Sequence, residues 1–337
     1  MTVLITGGAG FIGSTVASAC ADRGHEVVVL DDLSTGTPVF AARHRFYRGD
    51  IADADLIDRI VRENPDITTV VHCAARIVVP ESVADPFGYF DSNVARTVSL
   101  LQGLARNGID RVVFSSSAAI YDTPADGVVA EGSPLAPPSP YADTKAVIER
   151  VLAAGAGAGL LRAVALRYFN PIGADPRLRT GLQVPTPSHA LGKLISAWRA
   201  DEPFVVTGTD WPTRDGSGVR DYVHVWDLAE AHALVVDRFD DVVDEREPFR
   251  AVNLGTGQGT TVLELVEAFG RVAGGLPRVE IGAARAGDTA GAFADVSLAR
   301  ELLGWEARLT VDEGIADSLR WSDLARRQGL FAPAPSP

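Results

Sequence analysis

Residues 3–14 read VLITGGAGFIGS. Val3 to Thr6 make a short apolar strand, Gly7-Gly8-Ala9-Gly10 a turn, and Phe11-Ile12-Gly13 the start of a run with helical spacing. Small residues let the backbone turn tightly and approach a pyrophosphate. The helix that follows offers that anion free N–H groups and the positive end of its dipole. A glycine-rich turn that binds nothing would carry the same letters, so the surroundings must decide. Val27-Val28-Val29-Leu30 reads as the next strand, and Asp31, followed by Asp32, closes it. A carboxylate there accepts hydrogen bonds from adenosine ribose hydroxyls and repels a 2′-phosphate, which favours NAD over NADP; the bland alternative is a solvated strand-end acid. Gly49-Asp50-Ile51 follows a third strand, where Asp50 either meets the adenine amino group or caps the helix from Asp53 onward.

Outward from this start the pattern repeats. Strands are expected at Val3–Thr6, Glu26–Leu30, Arg45–Tyr47, Thr69–His72, Arg111–Ser115 and Ala163–Arg167, with helices at Phe11–Arg23, Asp53–Glu63, Asp91–Asn107 and Pro140–Ala154. Strands alternating with helices at this interval imply βαβ units. The expected fold is α/β: a Rossmann-type, doubly wound parallel sheet with a smaller, interleaved α/β substrate-binding lobe. The sheet domain takes residues 1–174 and parts of 219–257. The lobe takes 175–218 and 258–330, and 331–337 is a tail. Asp175–Gly218 is rich in Gly, Pro and Thr, with one helix at His189–Trp198. A strand–helix pair is expected at Tyr222–Phe239, another at Val252–Val272, and a last helix near Val311–Arg326. Ala153–Gly159 is Ala/Gly-rich and reads as a mobile surface loop.

The 337 residues carry a net charge of −13. A nucleic-acid partner calls for a basic face, so none is expected, although local arginines can hold a small anion against the global sign. Two cysteines, Cys20 and Cys73, sit in apolar patterns and imply no disulfide framework. Neither a signal peptide nor a membrane span is read, and the expected location is the cytoplasm. No metal site is read.

Tyr141 and Lys145 stand four apart at a helix start, after Pro138-Ser139-Pro140, and so share a face. An ammonium beside a phenol stabilises the phenolate and brings its proton within reach of base catalysis. Such a pair also arises by chance in many helices. Here Phe114-Ser115-Ser116-Ser117 ends a parallel strand, and ligands of open α/β sheets bind at the carboxyl ends of strands. A serine there can bridge a substrate oxygen and the tyrosine, or merely cap the strand.

With these motifs on the page the chain resembles an extended short-chain dehydrogenase/reductase, specifically the UDP-glucose (UDP-galactose) 4-epimerase family. The resemblance rests on GGAGFIGS (7–14), GDI (49–51), HCAA (72–75), FSSSAAIY (114–121), SPYADTK (139–145), LRYFNPIGA (166–174), PTRDGSGVRDYVHVWDLA (212–229), NLGTG (253–257) and RAGD (285–288). It implies Tyr141 as base and acid, Lys145 as its pKa modifier and ribose ligand, and Ser117 as partner of the sugar 4-oxygen. Gly7, Gly10, Phe11, Ile12, Gly13, Asp31, Asp32, Asp50, Ile51, Cys73, Ala74, Ala75, Asn93, Ser115, Tyr141, Lys145 and Tyr168 would line the NAD site. Ser117, Tyr168, Phe169, Asn170, Ser188, His189, Arg220, Arg285 and Asp288 would meet the UDP-sugar, the two arginines clamping its diphosphate. A guanidinium fork suits phosphate oxygens, but Arg220 could equally pair with Asp221 or Asp227. The chain departs from the family at Ile77, where a lysine is usual and Arg76 could take over. It departs again at Pro187-Ser188-His189, in place of Asn-Asn-Leu, with His189 alone reading as a surface histidine at a helix start. A third departure is Ala292-Phe293, in place of a tyrosine at the pocket wall. Family members often dimerise through two helices, here Asp91–Asn107 and Pro140–Ala154, so a homodimer is expected. The competing readings are a UDP-glucuronic acid or UDP-GlcNAc 4-epimerase, a 4,6-dehydratase and a non-catalytic NAD sensor. Ala118-Ala119 opposes the dehydratase, whose relatives carry an Asp-Glu pair there; retention of Tyr141 and Lys145 opposes the sensor.

Overall fold

The computed structural model describes residues 1–124, 127–185, 187–284 and 289–331. Seven parallel strands form the central sheet: β1 (Thr2–Thr6), β2 (Glu26–Asp31), β3 (Arg45–Arg48), β4 (Ile67–His72), β5 (Arg111–Ser115), β6 (Arg162–Tyr168) and β7 (Phe249–Leu254). Their order is β7-β6-β5-β4-β1-β2-β3, so the winding reverses between β1 and β4. That reversal opens a crevice at the carboxyl ends of the strands, the usual ligand position in such sheets.

The inner strands are buried on both faces, which is why runs such as Val27–Leu30 are apolar throughout rather than alternating, whereas the edge strand β3 is Arg-Phe-Tyr-Arg and half-exposed. Val3 and Ile5 of β1 face one core with Val29, Val71 and Val113; Leu4 faces the other with Val28, Val70 and Phe114. The first core is closed by α1 (Phe11–Asp22), through Val16, Ala17 and Cys20, and by a later helix, Val225–Asp237, through Leu228, Ala231 and Val235. The second is closed by α2 (Ala54–Glu63), α3 (Arg96–Arg106) and α4 (Pro140–Gly157), through Ile57, Ile60, Leu100, Leu104, Ile148 and Leu152. A third core is separate. It joins α5 (Ala190–Ala200), α6 (Val262–Ala273) and α7 (Val311–Gln328) to a two-stranded parallel ribbon, Phe204–Thr207 with Val279–Gly282.

Three expectations are corrected. Ala153–Gly159 is not a loop: α4 continues to Gly157, because the helix formers Ala153, Ala154 and Ala156 sustain it, and at Gly155 a β-carbon would press on Leu161. The chain leaves the helix at Gly159, which takes φ +71°. The helix expected over Asp91–Asn107 begins as a π-helical turn, Phe90–Ala95, before α3. The ribbon of Phe204–Thr207 and Val279–Gly282 is an element that the sequence pattern does not announce.

Candidate functional site

The glycine loop lies in the crevice. Gly7 takes φ +70°, and a β-carbon there would stand 2.6 Å from the Ala74 nitrogen, so the turns after β1 and β4 can approach only through glycine. A β-carbon on Gly13 would overlap the Gly7 carbonyl. Gly10 ends the turn as N-cap of α1, without a side-chain cap and without an acid in the first turn. The exposed N–H groups and dipole therefore face the crevice uncompensated, as an anion site requires. Asp31 sits beside the loop, 8% exposed, accepting from the Ala9 N–H (2.9 Å) and the Leu33 N–H (2.8 Å). Burial holds its carboxyl above the usual range, opposed by those two bonds. Each oxygen keeps a lone pair for a ribose hydroxyl. Asp32 is exposed and accepts from Ser34 N–H.

Other residues expected on the cofactor side behave differently. Asp50 is not the helix cap: Asp53 caps α2, accepting from Leu56 N–H, while Asp50 pairs with Arg96. Asn93 is buried with its amide already used, accepting from Arg76 N–H (2.8 Å) and donating to Arg76 O (3.0 Å) and Thr144 Oγ1 (3.1 Å). It shapes the loop after β4 through those bonds. Arg76, the candidate to take over from the missing lysine, pairs with Asp85 and lies 4.4 Å over the Tyr89 ring. Ile77 beside it is exposed.

Ser139 caps α4, accepting from Ala142 N–H, and Pro140 occupies its first turn. This sets Tyr141 and Lys145 on the buried face, against the end of β5. The Lys145 Nζ donates to the Ser115 carbonyl (2.7 Å) and lies 4.7 Å over the Phe114 ring. Burial draws the ammonium down to about 8. Burial raises the Tyr141 phenol, and the Ser117 side chain is the influence that opposes it. In this arrangement the ammonium is turned to Ser115, and it is Ser117 that bears on the phenol. Ser117 also accepts from Ala119 N–H (3.2 Å). Tyr168, at the end of β6, is raised well above an ordinary phenol by burial and then by Tyr141 beside it. The Ser115 hydroxyl meets Cys73 Sγ (3.1 Å) and His232 Nε2 (2.9 Å). His232 donates from Nδ1 to Leu228 O, so Nε2 accepts and Ser115 donates to it.

On the substrate side, Asn170 begins the strand Asn170–Ile172, parallel to Tyr222–His224. The Arg220 guanidinium donates to Val219 O and passes over Gly218 and Gly291, where a side chain would collide with it. It pairs with neither Asp221 nor Asp227. Asp221 is buried, receiving Thr256 N–H and Oγ1–H, Gly257 N–H and Ala294 N–H; Asp227 receives Arg308 and Leu309 N–H. Arg220 thus has no carboxylate partner among the described residues. His189 is the N-cap of α5, accepting from Gly192 N–H at Nδ1; its Nε2 is buried without a partner among the described residues, and burial lowers it to about 4. It is a half-buried cap whose Nε2 is turned inward, rather than a surface histidine. Ser188 precedes it. Arg285 and Asp288 lie outside the described residues. The Phe293 ring packs over Gly127 and Gly259.

A network that the sequence does not reveal lies beyond Tyr141 and Lys145 along α4. Glu149 of α4 receives Arg167 in a fork (2.6 and 3.0 Å) and the Ser116 hydroxyl (2.5 Å), and Arg167 reaches on to Tyr121 (2.8 Å). Both charges are buried. No cue in the sequence joins residues 149 and 167. Among the described residues no cluster of side chains could hold a metal, and no helix is long and apolar enough to cross a membrane.

The NAD dependent epimerase/dehydratase family matches residues 3–255. The chain is 39% identical to UDP-glucose 4-epimerase of Bacillus subtilis (strain 168), over 95% of this chain and 96% of that protein. It is similar to the crystal structure of UDP-glucose-4-epimerase from Stenotrophomonas maltophila with bound NAD and formylated UDP-arabinopyranose: TM-score 0.92, 37% identity, 97% and 99% of the two chains covered. UDP-glucose 4-epimerase from Bifidobacterium longum, in complex with NAD+ and UDP, aligns with TM-score 0.86 and 35% identity over 97% and 99%. The uncapped α1 terminus, the glycine loop and Asp31 are the groups such a cofactor needs.

Proposed function

The chain belongs to the NAD dependent epimerase/dehydratase family, and from that footing we propose that it inverts C4 of a UDP-hexose, UDP-glucose or UDP-galactose, through a 4-keto intermediate. The observation that carries the reading is the buried corner where Ser117, Tyr141 and Lys145 meet at the ends of β5 and α4. When bound, NAD supplies the acceptor and donor of hydride and a cationic ring beside the phenol. Tyr141 takes the 4-hydroxyl proton and later returns it. Ser117, already interacting with Tyr141, holds the 4-oxygen. Lys145, anchored on Ser115 O, keeps two protons for the nicotinamide ribose. Arg220, free of carboxylates among the described residues, binds the diphosphate together with Arg285, while Asn170 and the 188–189 turn line its path. The nucleotide supplies the binding energy, and the sugar stays loose enough to turn over.

Among the described residues, the two positions after Ser117 carry no carboxylate for dehydration across C5–C6. Ala118 and Ala119 follow Ser117, and Glu149 is engaged by Arg167 and Ser116. Phe293 packs away on Gly127 and Gly259, which supports room beside Ala292 for an N-acetyl group and hence some turnover of UDP-GlcNAc. The reading includes a homodimer and a cytoplasmic enzyme, with Cys20 and Cys73 both unpaired.

The test is direct. Purified protein given UDP-galactose and no added cofactor should form UDP-glucose to equilibrium, with no net change in NADH absorbance. No conversion of any UDP-hexose by NAD-loaded protein would refute the reading.

A further inference from the structure

Between the glycine loop and the loop after β2 lies a side chain from outside the central sheet. Residues 175–184 leave the strand Asn170–Ile172 and run back across α1. The segment folds on itself through a bond from Asp175 N–H to Thr180 O (3.0 Å). Thr180 Oγ1 meets Thr15 Oγ1 (3.1 Å), and Arg179 donates to Asp22 (2.7 Å) and Asp175 (2.5 Å). On the other side the Trp321 indole donates to Leu182 O (2.8 Å). These pins fix Gln183, which is 5% exposed. Its Nε2 donates to Thr35 O (3.0 Å), and a β-carbon on Gly10 would lie 3.9 Å from the same nitrogen. The amide therefore bridges the two loops that flank the nucleotide.

The orientation of the amide is fixed by Thr35, since exchanging N and O would set two acceptors face to face. Oε1, so placed, is buried without a hydrogen-bond partner among the described residues. Buried amide oxygens are rarely left so. Four N–H groups of the two loops are already engaged elsewhere: Ala9 and Leu33 on Asp31, Gly10 on Gly7 O, Thr37 on Ala9 O. A hydroxyl of a bound ligand would supply the missing donor. Phosphate oxygens only accept, whereas the adenosine ribose carries two hydroxyls. We propose that Gln183 is a cofactor-binding residue reaching in from the second lobe, its Oε1 accepting a hydrogen bond from an adenosine ribose hydroxyl of NAD. The inference rests on NAD binding alone and stands or falls apart from the identity of the sugar.

Gln183→Met keeps length and buried shape while removing the amide. Binding to the cofactor-stripped full chain is measured by calorimetry for NAD and for two analogues lacking the adenosine 2′- or 3′-hydroxyl. Loss of one neutral hydrogen bond predicts about 3- to 10-fold weaker NAD binding in the variant. One analogue should bind wild type more weakly by the same factor, and in the variant that analogue and NAD should bind alike. The penalty for the other analogue should persist, because Asp31 is intact. Unchanged NAD affinity would overturn the proposal, leaving Oε1 to solvent. So would equal weakening for NAD and both analogues, which is the mark of a displaced segment. Thr180→Val, which loosens the segment from Thr15, provides that pattern for comparison. Gln183→Ala repeats the series if the methionine variant fails to fold.

Discussion

Tyr141 is buried by the face of α4 that carries Lys145, and burial alone would keep its proton on. Ser117 opposes that, and a cationic ring would oppose it further, so the phenol's acidity depends on its partners rather than on exposure. Replacing the oxygen leaves the ring's packing intact. Tyr141→Phe is expected to retain bound NAD and to lose roughly 10²–10⁴-fold in turnover, the range for a positioned acid–base group. An initial-rate assay with released cofactor quantified checks both halves; a variant holding a tenth of the wild-type rate would remove Tyr141 from the mechanism. Asp31 governs a different choice. Its two oxygens already close the glycine loop, and a 2′-phosphate would enter against a buried carboxylate. Cofactor released by denaturation should therefore chromatograph as NAD(H), and recovery of the 2′-phosphorylated form would contradict this reading of the loop.

At the scale of elements, one buried face of α4 does two things: it delivers Tyr141 and Lys145, and one turn further on it inserts Glu149 against Arg167 of β6. A buried pair contributes little relative to apolar residues of the same size, but breaking it strands a charge. Glu149→Leu should lower unfolding stability by about 3–5 kcal/mol in denaturant titrations, far more than a surface acid would. A loss below about 1 kcal/mol would mean that Arg167 finds another partner. The elements themselves are largely legible in the sequence. Most inner strands are apolar runs such as Val27–Leu30, and the observed bounds lie close to those read from the sequence. The ribbon of Phe204–Thr207 and Val279–Gly282 is not, because each strand is four residues long and its partner lies far along the chain. Tyr141 and Lys145, proposed as the acid–base pair, show themselves by spacing within one helix. The roles of Asn93, Glu149, Gln183 and His232 do not, because what marks them is a partner brought in by the fold: Thr144, Arg167, Thr35 and Ser115.

For the whole molecule, buried histidines couple stability to pH. Burial holds His72 at about 3 and His189 and His232 at about 4, against an ordinary value near 6.5. Above that ordinary value the folded and unfolded states are alike. Below it the unfolded chain takes up protons that the folded chain refuses, so stability falls as pH falls, by up to about 1.4 kcal/mol per unit for each group. The thermal midpoint should drop between pH 6.5 and 5; a flat or rising midpoint would contradict the buried placement. The remaining exposed surface bears on assembly. Phe87, in the short helix Pro86–Tyr89, stands almost wholly in solvent at 88%, and half-buried Val94 and Val98 lie on the segment that follows, as do Val147 and Val151 on α4. That short helix and the π-helical turn before α3 both pack directly on α4, so these residues leave apolar surface across neighbouring helices. Surface of this kind, with an exposed aromatic, is what a self-complementary two-fold interface uses, and a stable one covers roughly 800 Å² on each partner. We therefore expect light scattering to give twice the 35.6 kDa chain mass at micromolar concentration. Val98→Glu with Val147→Glu places charge on this apolar surface, where desolvation and repulsion both oppose pairing. The double variant should run as a folded monomer with an unchanged circular dichroism spectrum. A wild-type monomer, or a dimer that tolerates both glutamates, would place the interface elsewhere or nowhere.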